Sequence, residues 1–186
     1  MADKITKFKD IPQLTRDGNY RVNMPLRDIP ERIKNWQEDE WYKLQLNPKF
    51  QRGHVWTEEQ QTRFMEYLLR GGRANTTIYF NQPSWQSYTA SDYNDFVCVD
   101  GLQRLTAVLR FLNNEIKAFG SYYKDFEDKL PFDLDLIFNI NNLKTEKEVL
   151  QWYVDMNAGG TPHTDAEIEK VRKMIEDLEE SEVKES

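Results

Sequence analysis

The chain of 186 residues carries a net charge of −7, and 39% of its residues are hydrophobic, which suffices for one globular domain with a substantial core. Its one cysteine excludes an internal disulfide, and its two histidines argue against a zinc site built from Cys and His ligands. No apolar run is long enough to span a bilayer, and the N-terminus lacks the apolar centre of a signal peptide. We therefore expect a cytoplasmic protein without membrane contacts.

The acidic charge is unevenly distributed. Residues 113–186 carry 9 basic and 18 acidic side chains, whereas residues 41–112 carry 8 basic and 6 acidic ones. The overall acidity argues against a protein that coats DNA, since duplex binding normally requires a strongly basic face. The basic surplus of the middle segment nevertheless permits a local site for an anion.

The N-terminal quarter is predicted to contain one helix and one strand. Residues 1–25 have an irregular to extended pattern. Asp28 is a candidate cap for a helix that takes Pro30 in its first turn and runs to about Glu40. Residues 41–46 alternate between apolar and polar side chains, which predicts a strand.

A second helix is predicted from its start and stop signals. Thr57 with Gln60 three residues later indicates a capping box, and the helix is expected to end at Gly71-Gly72. Residues 76–80 then predict a strand, and residues 81–94 form a polar loop whose aromatic side chains we expect to pack on the core.

The second half predicts strands and helices in alternation. Residues 96–99 are apolar on both faces and predict a central, buried strand, in which Cys98 is interpreted as a small buried hydrophobe. A helix follows Asp100 and ends near Asn113. Further strands are predicted at residues 116–118 and 134–140, a helix at residues 146–156, and a last helix from Thr164 or Asp165 that frays beyond about Glu179.

The most informative segment is Asp100-Gly101-Leu102-Gln103-Arg104, here called the second box. It lies between the predicted buried strand and its helix, so that a glycine turn leads directly into a helix N-terminus. Such a turn lets backbone N–H groups approach an anion, and Arg104 adds a fixed cation. Taken alone, the segment is equally compatible with a plain chain reversal and with a phosphate site.

Two other segments carry similar alternatives. The first box, Asn47 to Arg52 with Trp56, is either a strand exit with a surface arginine or a second cationic contact to the same phosphates. The third box, Asn157 to Pro162 with Glu167, is either a helix stop followed by a carboxylate near the next helix N-terminus, or a set of ligand contacts.

Together the three boxes resemble the N-terminal domain of the GmrSD-type modification-dependent restriction proteins. That family has a Pro-aromatic-Gln-Arg…Trp box, an Asp-Gly-Gln-Gln-Arg box, and an Asn-x-Gly-Gly box followed by Glu. The matching residues here are Pro48, Phe50, Gln51, Arg52 and Trp56, then Asp100, Gly101, Gln103 and Arg104, then Asn157, Gly159, Gly160 and Glu167. The resemblance covers roughly residues 41–175 and extends more distantly to ParB and sulfiredoxin.

The resemblance implies an α+β fold of the ParB/sulfiredoxin-like type, in which helices surround a mixed, partly open sheet within a single domain. We expect residues 1–40 to form an N-terminal extension with one helix packed on the domain. Residues 41–178 would form the ParB-like nucleotide-binding domain, and residues 179–186 a frayed acidic tail.

The resemblance also implies that a nucleoside triphosphate lies where the boxes converge. Its phosphates would contact Gln51, Arg52, Gly101, Arg104, Asn157 and Glu167, and the catalytic residues would be Asp100, Gln103 and Arg104. Asp100 would either hold Mg²⁺, the candidate cofactor, through water, or orient Arg104. The first role agrees with the preference of Mg²⁺ for few carboxylates together with phosphate oxygens.

Leu102 departs from the family pattern, which has Gln at that position. If that Gln contacts nucleotide or water in relatives, its replacement bears on hydrolysis here, whereas binding through Gly101 and Arg104 does not depend on it. The family's HNH-type nuclease domain cannot be built from two isolated histidines, His54 and His163. We therefore expect the chain to be the sensor or nucleotidase part alone.

Three functions remain as hypotheses. The first is a standalone domain that binds a nucleoside triphosphate, with or without hydrolysis, in DNA-related defence or counter-defence. The second is a domain that binds or nicks DNA with the same pocket. The third is a non-catalytic regulator or inhibitor that binds a partner protein. The basic side chains available for DNA phosphates are Lys49, Arg52, Arg63, Arg70 and Arg73.

Overall fold

The computed structural model describes residues 4–13, 20–51, 55–85, 92–157 and 165–184, with the side chains of residues 165–167 and 182–184 left undescribed. Four strands form one sheet: β1 (Tyr20–Pro25), β2 (Thr77–Asn81), β3 (Val97–Asp100) and β4 (Asp135–Asn141). Their order across the sheet is β1-β4-β2-β3. The β2–β4 pair is parallel, and the β1–β4 and β2–β3 pairs are antiparallel.

Helices cover both faces of this sheet. They are α1 (Ile29–Glu38), α2 (Glu58–Leu69), α3 (Leu102–Leu112), α4 (Glu146–Asn157) and α5 (Asp165–Lys184). One core lies between the sheet and α1, α2 and α3, and it contains Ile78, Phe80 and Phe138. A second, smaller core joins Val97 and Val99 to α4 and α5. The predicted α+β class, with a mixed sheet surrounded by helices in a single domain, is confirmed.

The start and end signals of α2 are confirmed. The Thr57 hydroxyl accepts a hydrogen bond from the Gln60 backbone N–H, and the Gln60 side chain accepts one from the Thr57 N–H. The helix ends before Gly71, whose φ of 82° closes the last turn through a hydrogen bond to the Leu68 carbonyl. By contrast, Asp28 makes no side-chain capping bond at α1, because its own backbone is helical.

Two predicted strands are wrong. Residues 41–46 form a turn in which Lys43 has a φ of 44°, and only Gln45 makes a single parallel bridge to Val97. Residues 116–118 contribute one isolated bridge, between Ala118 and Ser121. In both segments the side chains alternate between buried and exposed, because each segment is a turn that passes over the core. A short strand with one buried face has the same alternation, so the sequence pattern does not separate the two.

The prediction that residues 96–99 form a buried strand is confirmed, but their central position is wrong. β3 is the last strand in the sheet order. Cys98 faces the larger core and Val97 the smaller one. Both faces of β3 are therefore buried, which makes its sequence apolar throughout although β3 lies at the end of the strand order. The Gln45 bridge protects part of the outer edge, because Gln45 exchanges backbone hydrogen bonds of 2.8 and 2.9 Å with Phe96 and Cys98.

The two ends of the chain contain more regular structure than the sequence predicts. Within residues 1–25, the segment Tyr20–Pro25 is a strand of the main sheet. At the other end, α5 runs to Lys184, past the position near Glu179 where fraying was predicted. In the polar loop, Trp85 packs against Trp36, Tyr42 and Phe96, as expected for an aromatic residue that holds a loop on the core.

Candidate functional site

The second box forms the junction between β3 and α3, hereafter the β3–α3 junction, residues 100–104. Gly101 has a φ of 99°, a backbone conformation that disfavours any side chain. A Cβ atom at this position would lie 2.7 Å from Cδ1 and 3.1 Å from Cα of Ile78. Glycine is therefore required twice, by conformation and by the close packing of the turn on β2.

Arg104 lies across this junction. Its Nη2 donates hydrogen bonds to Oδ2 of Asp100 at 2.6 Å and to the Thr77 carbonyl at 3.0 Å, while its Nε is buried without a hydrogen-bond partner. The Arg104 side chain is 19% exposed and that of Asp100 is 39% exposed. The Arg104 side chain is therefore mostly buried at the junction, and Asp100 is the more exposed member of the pair.

Gln51 and Gln103 connect the first box to this junction. Nε2 of Gln51 donates to the carbonyls of Cys98 and Val99 at 3.0 and 2.7 Å. Oε1 of Gln103 accepts from the backbone N–H groups of Val55 and Trp56 at 2.9 and 3.0 Å. The Nε2 atom of Gln51 and the Oε1 atom of Gln103 thus form hydrogen bonds to the protein backbone. Arg52, the predicted second cation, lies outside the described residues.

Of the third box, the structure describes the side chain of Asn157, at the end of α4, which packs against the first box. Nδ2 of Asn157 donates to the carbonyl of Tyr153, and the Tyr153 ring packs on Phe50 with centroids 5.3 Å apart. From α5, Nζ of Lys170 donates to the Lys49 carbonyl at 3.2 Å. Asn157 ends α4 beside the first box. The side chain of Glu167 and residues 158–164 lie outside the description.

Leu102 does not face the surface of the junction. It is 7% exposed and belongs to the larger core, on the side of α3 that packs against the sheet. The residue that breaks the family pattern therefore makes core contacts in this chain. The sequence could not show this, because the first residue of a helix has no fixed facing until the helix is docked.

One contact of the site escaped sequence analysis. The Thr77 carbonyl at the start of β2 accepts a hydrogen bond from Arg104, although 27 residues separate them. A backbone carbonyl carries no residue-type signal, so only strand pairing reveals it. The antiparallel register that aligns Tyr79 with Asp100 places the beginning of β2 next to the end of β3.

Cys98 lies directly behind the junction and is fully buried. Burial raises the pKa of its thiol, and the nearby Asp100 carboxylate raises that pKa further. The sulfur points to the Asp100 carbonyl at 3.7 Å. Because the thiolate is the nucleophilic form, this thiol is unreactive in the folded protein.

The described residues contain no group of three or more His, Cys, Asp or Glu side chains that could hold a metal. Asp100 is the carboxylate at the β3–α3 junction, and one carboxylate is compatible with Mg²⁺ bound mainly through phosphate oxygens. A groove of about 280 Å³ lies elsewhere, between Leu69, Phe119 and Phe126, and includes none of the three boxes.

The fold and the junction define an α+β domain with an arginine-bearing strand–helix turn. The model of the family described as GmrSD restriction endonuclease, N-terminal domain, matches residues 33–137, more than half of the chain. The chain therefore belongs to the GmrSD N-terminal domain family, and this membership supports a role in restriction-type defence. The match includes the first and second boxes and ends before the third.

No curated protein and no solved structure matches the chain. Among the described residues, no helix has the length and apolar character needed to cross a membrane.

Proposed function

We propose that this protein binds a nucleoside triphosphate at the β3–α3 junction and hydrolyses it with Mg²⁺. The observation that carries the proposal is the pairing of Arg104 with Asp100 at a glycine turn that Gln51 and Gln103 tie to the first box. Structural arginines seldom require a left-handed glycine, a helix N-terminus and two side-chain braces around them. A glycine turn that leads into a helix N-terminus, with an arginine beside it, is an arrangement that suits a phosphate.

Binding would proceed by exchange of partners at Arg104. Its guanidinium has several N–H donors, of which Nη2 contacts Asp100 and Thr77. A phosphate brings oxygens that accept charge-assisted hydrogen bonds, which are stronger than bonds between neutral groups. The first turn of α3 adds unpaired backbone donors and a partial positive charge, so the phosphate meets complementary groups on two sides.

Asp100 limits the affinity for a bare polyphosphate, because its carboxylate repels phosphate oxygens. Asp100 would hold Mg²⁺, whose positive charge would offset this repulsion. Phosphoryl transfer depends mainly on positioning and on neutralisation of charge, so no nucleophilic side chain is needed. In this chain, Arg104 would supply the neutralising cation, and Arg52 is proposed as a second one.

DNA is the second candidate ligand, and the family description favours it, since restriction endonucleases act on DNA. The same junction would then hold a backbone phosphate. The net charge of −7 opposes tight binding to a duplex. A strong decrease of binding with salt concentration would support this candidate, as would weaker binding after loss of Arg63, an exposed residue of α2.

The direct test is calorimetric titration of ATP, GTP, CTP and UTP into the protein with Mg²⁺, together with an assay of phosphate release. Arg104→Ala should weaken triphosphate binding by roughly 10- to 100-fold, because it removes a charge-assisted hydrogen bond. Arg63→Ala is the matched control. It removes an arginine whose Nη2 contacts a carboxylate oxygen of Glu59, also four residues earlier in the chain, at 2.7 Å.

Asp100→Asn separates binding from turnover. This variant should bind Mg²⁺-free tripolyphosphate more tightly than the wild type, since a repelling charge is gone, and should lose Mg²⁺-dependent release. Failure of every triphosphate to bind folded wild type would overturn the proposal. Equal losses in Arg104→Ala and Arg63→Ala would place the binding outside the junction.

A further inference from the structure

Residues 4–13, here called the N-terminal arm, expose three large apolar side chains. Phe8 is 93% exposed, and Ile5 and Ile11 are also exposed. The segment Phe8–Asp10 is a short 3₁₀ helix that buries none of its side chains. Positions three apart share one side of a 3₁₀ helix, so these three side chains are spaced to form one apolar stripe. An apolar stripe left in water indicates a contact with another surface.

The groove of about 280 Å³ near α2 and α3, hereafter the aromatic groove, is a cavity that suits such a stripe. Its charged lining residues are Asp128 and Lys129. The rest of its lining is apolar or aromatic and includes Leu69, Phe111, Phe119, Tyr123, Phe126 and Leu134. An apolar, open groove gains free energy when apolar side chains displace its water.

Phe119 holds its ring at this groove in a strained backbone conformation. Its φ is 51°, and Gly120 follows with a φ of 80°. Ala118 and Ser121 close this two-residue turn through two backbone hydrogen bonds of 3.0 Å. Such turns favour Asn at the first position, because a left-handed backbone disfavours a bulky side chain. The Phe119 ring is 47% exposed, so its own fold makes incomplete use of it, which indicates a further contact.

The charges of the arm and of one wall of the groove are complementary. The charged residues of the N-terminal arm are Lys4, Lys7, Lys9 and Asp10, a net charge of +2 in a chain of net charge −7. The exposed segment 124–133 beside the groove has four carboxylates and two lysines. Arg73 is 3.9 Å from carboxylate oxygens of Asp133 and Asp135. Arg70 lies over an aromatic ring. The wall therefore keeps a small surplus of carboxylates that attracts a lysine-bearing segment.

The arm and the groove lie at opposite ends of β1. The arm precedes Tyr20, where β1 begins, and β1 ends at Pro25. The next residue, Leu26, donates its backbone N–H to the carbonyl of Leu134, which lines the groove. Six residues of a strand span roughly 20 Å. Because β1 is an edge strand, two copies with antiparallel β1 edges would bring the start of each β1 beside the groove of the other copy.

We propose that the aromatic groove binds the N-terminal arm of a second copy of this chain, in a two-fold dimer that exchanges both arms. Phe8 enters the groove beside Phe119, and the lysines of the arm face segment 124–133. Two arms with three large apolar side chains each would bury on the order of 1,500 Å² in total, the size of a stable interface. This dimer is independent of phosphate binding at the β3–α3 junction.

Sedimentation equilibrium of the full chain, from roughly 1 to 300 μM, measures the association. We expect a dimer for the wild type. Phe8→Ala should raise its dissociation constant at least about tenfold, because it removes the largest apolar side chain of the arm. Trp41→Ala is the matched control, since Trp41 is 83% exposed and belongs to neither the arm nor the groove lining. It should leave the dissociation constant unchanged.

Phe119→Asn tests the groove without weakening the turn that carries it. Asn accepts the left-handed conformation, so the thermal unfolding of the monomer at low concentration should stay close to that of the wild type. Association should weaken at least about tenfold, because the groove loses its aromatic rim. A purely structural role of Phe119 predicts the reverse, a lower melting temperature with unchanged association, and would overturn the proposal.

A mixture of the two variants tests the exchange itself. Phe8→Ala keeps an intact groove, and Phe119→Asn keeps an intact arm. A heterodimer of the two regains one complete contact, so the equimolar mixture should associate more tightly than either variant alone. A wild type that stays monomeric at the highest concentration contradicts the proposal, whether its arm is free or folds onto its own groove. So does a mixture that associates no better than its components.

Discussion

Gln51 and Gln103 hold the same strand–helix junction with opposite hydrogen-bonding roles. Gln51 acts as donor, since its Nε2 bonds to the carbonyls of Cys98 and Val99. Gln103 acts as acceptor, since its Oε1 receives the N–H groups of Val55 and Trp56. The first box thus supplies a glutamine that binds the backbone of β3 just before the second box, and the second box supplies one that binds the backbone at Val55 and Trp56.

This asymmetry predicts different responses to the same substitution. Gln103→Glu keeps the oxygen that accepts from Val55 and Trp56, so these two hydrogen bonds should survive and the free energy of unfolding should fall less than in Gln51→Glu. Gln51→Glu would face two carbonyl oxygens with a carboxylate and should cost about 2–3 kcal/mol. Urea unfolding of both variants at pH 7 measures the difference. Equal costs would contradict the assigned roles.

Gly101 and Gly71 form a second matched pair. Both have positive φ, 99° and 82°, but only Gly101 has atoms of Ile78 where a Cβ would lie, whereas nothing lies within 4 Å at Gly71. Gly71→Ala should therefore cost about 1 kcal/mol for backbone strain alone. Gly101→Ala should cost about 2–4 kcal/mol, because overpacking against β2 is added. Chemical unfolding measures both, and similar costs would show that the turn tolerates a side chain.

The core position of Leu102 predicts the outcome of restoring the family's residue. Leu102→Gln places an amide in the larger core, where Leu102 is 7% exposed. It should lower the free energy of unfolding by about 1–3 kcal/mol and should not increase phosphate release. A large gain in turnover, measured beside an unchanged melting temperature, would show that residue 102 reaches the ligand.

The buried thiol of Cys98 predicts a loss of stability at high pH. In the unfolded chain the thiol titrates near its ordinary pKa of about 8.5, whereas burial keeps the folded thiol protonated well above that pH. The native state therefore binds more protons above pH 8.5, and the free energy of unfolding falls as pH rises, by up to about 1.4 kcal/mol per pH unit. Urea unfolding at pH 7.5, 8.5 and 9.5 checks this, with Cys98→Ala as the variant that should lack this component of the slope.

Sequence analysis succeeded where local chemistry is self-contained. The capping box of Thr57 and Gln60, the glycine turn at Gly101 and the helix of residues 146–157 depend on neighbours within a few positions. It failed at residues 41–46, where a turn over the core imitates the alternation of a strand. An alternating pattern shows which side chains of a segment face the core, but it does not show whether the segment pairs with another strand.

The sequence by itself determined that three polar boxes occur in family order, and that one of them follows a buried strand with a glycine turn and an arginine. Only the tertiary structure decided what these residues contact. It assigned Gln51 and Gln103 to backbone groups about 50 positions away, turned Leu102 into the core, and aligned Asp100 with Tyr79 of the neighbouring strand. The physical reason is that local propensities act within one element, whereas strand register and helix docking are set by the burial of apolar faces from the whole chain.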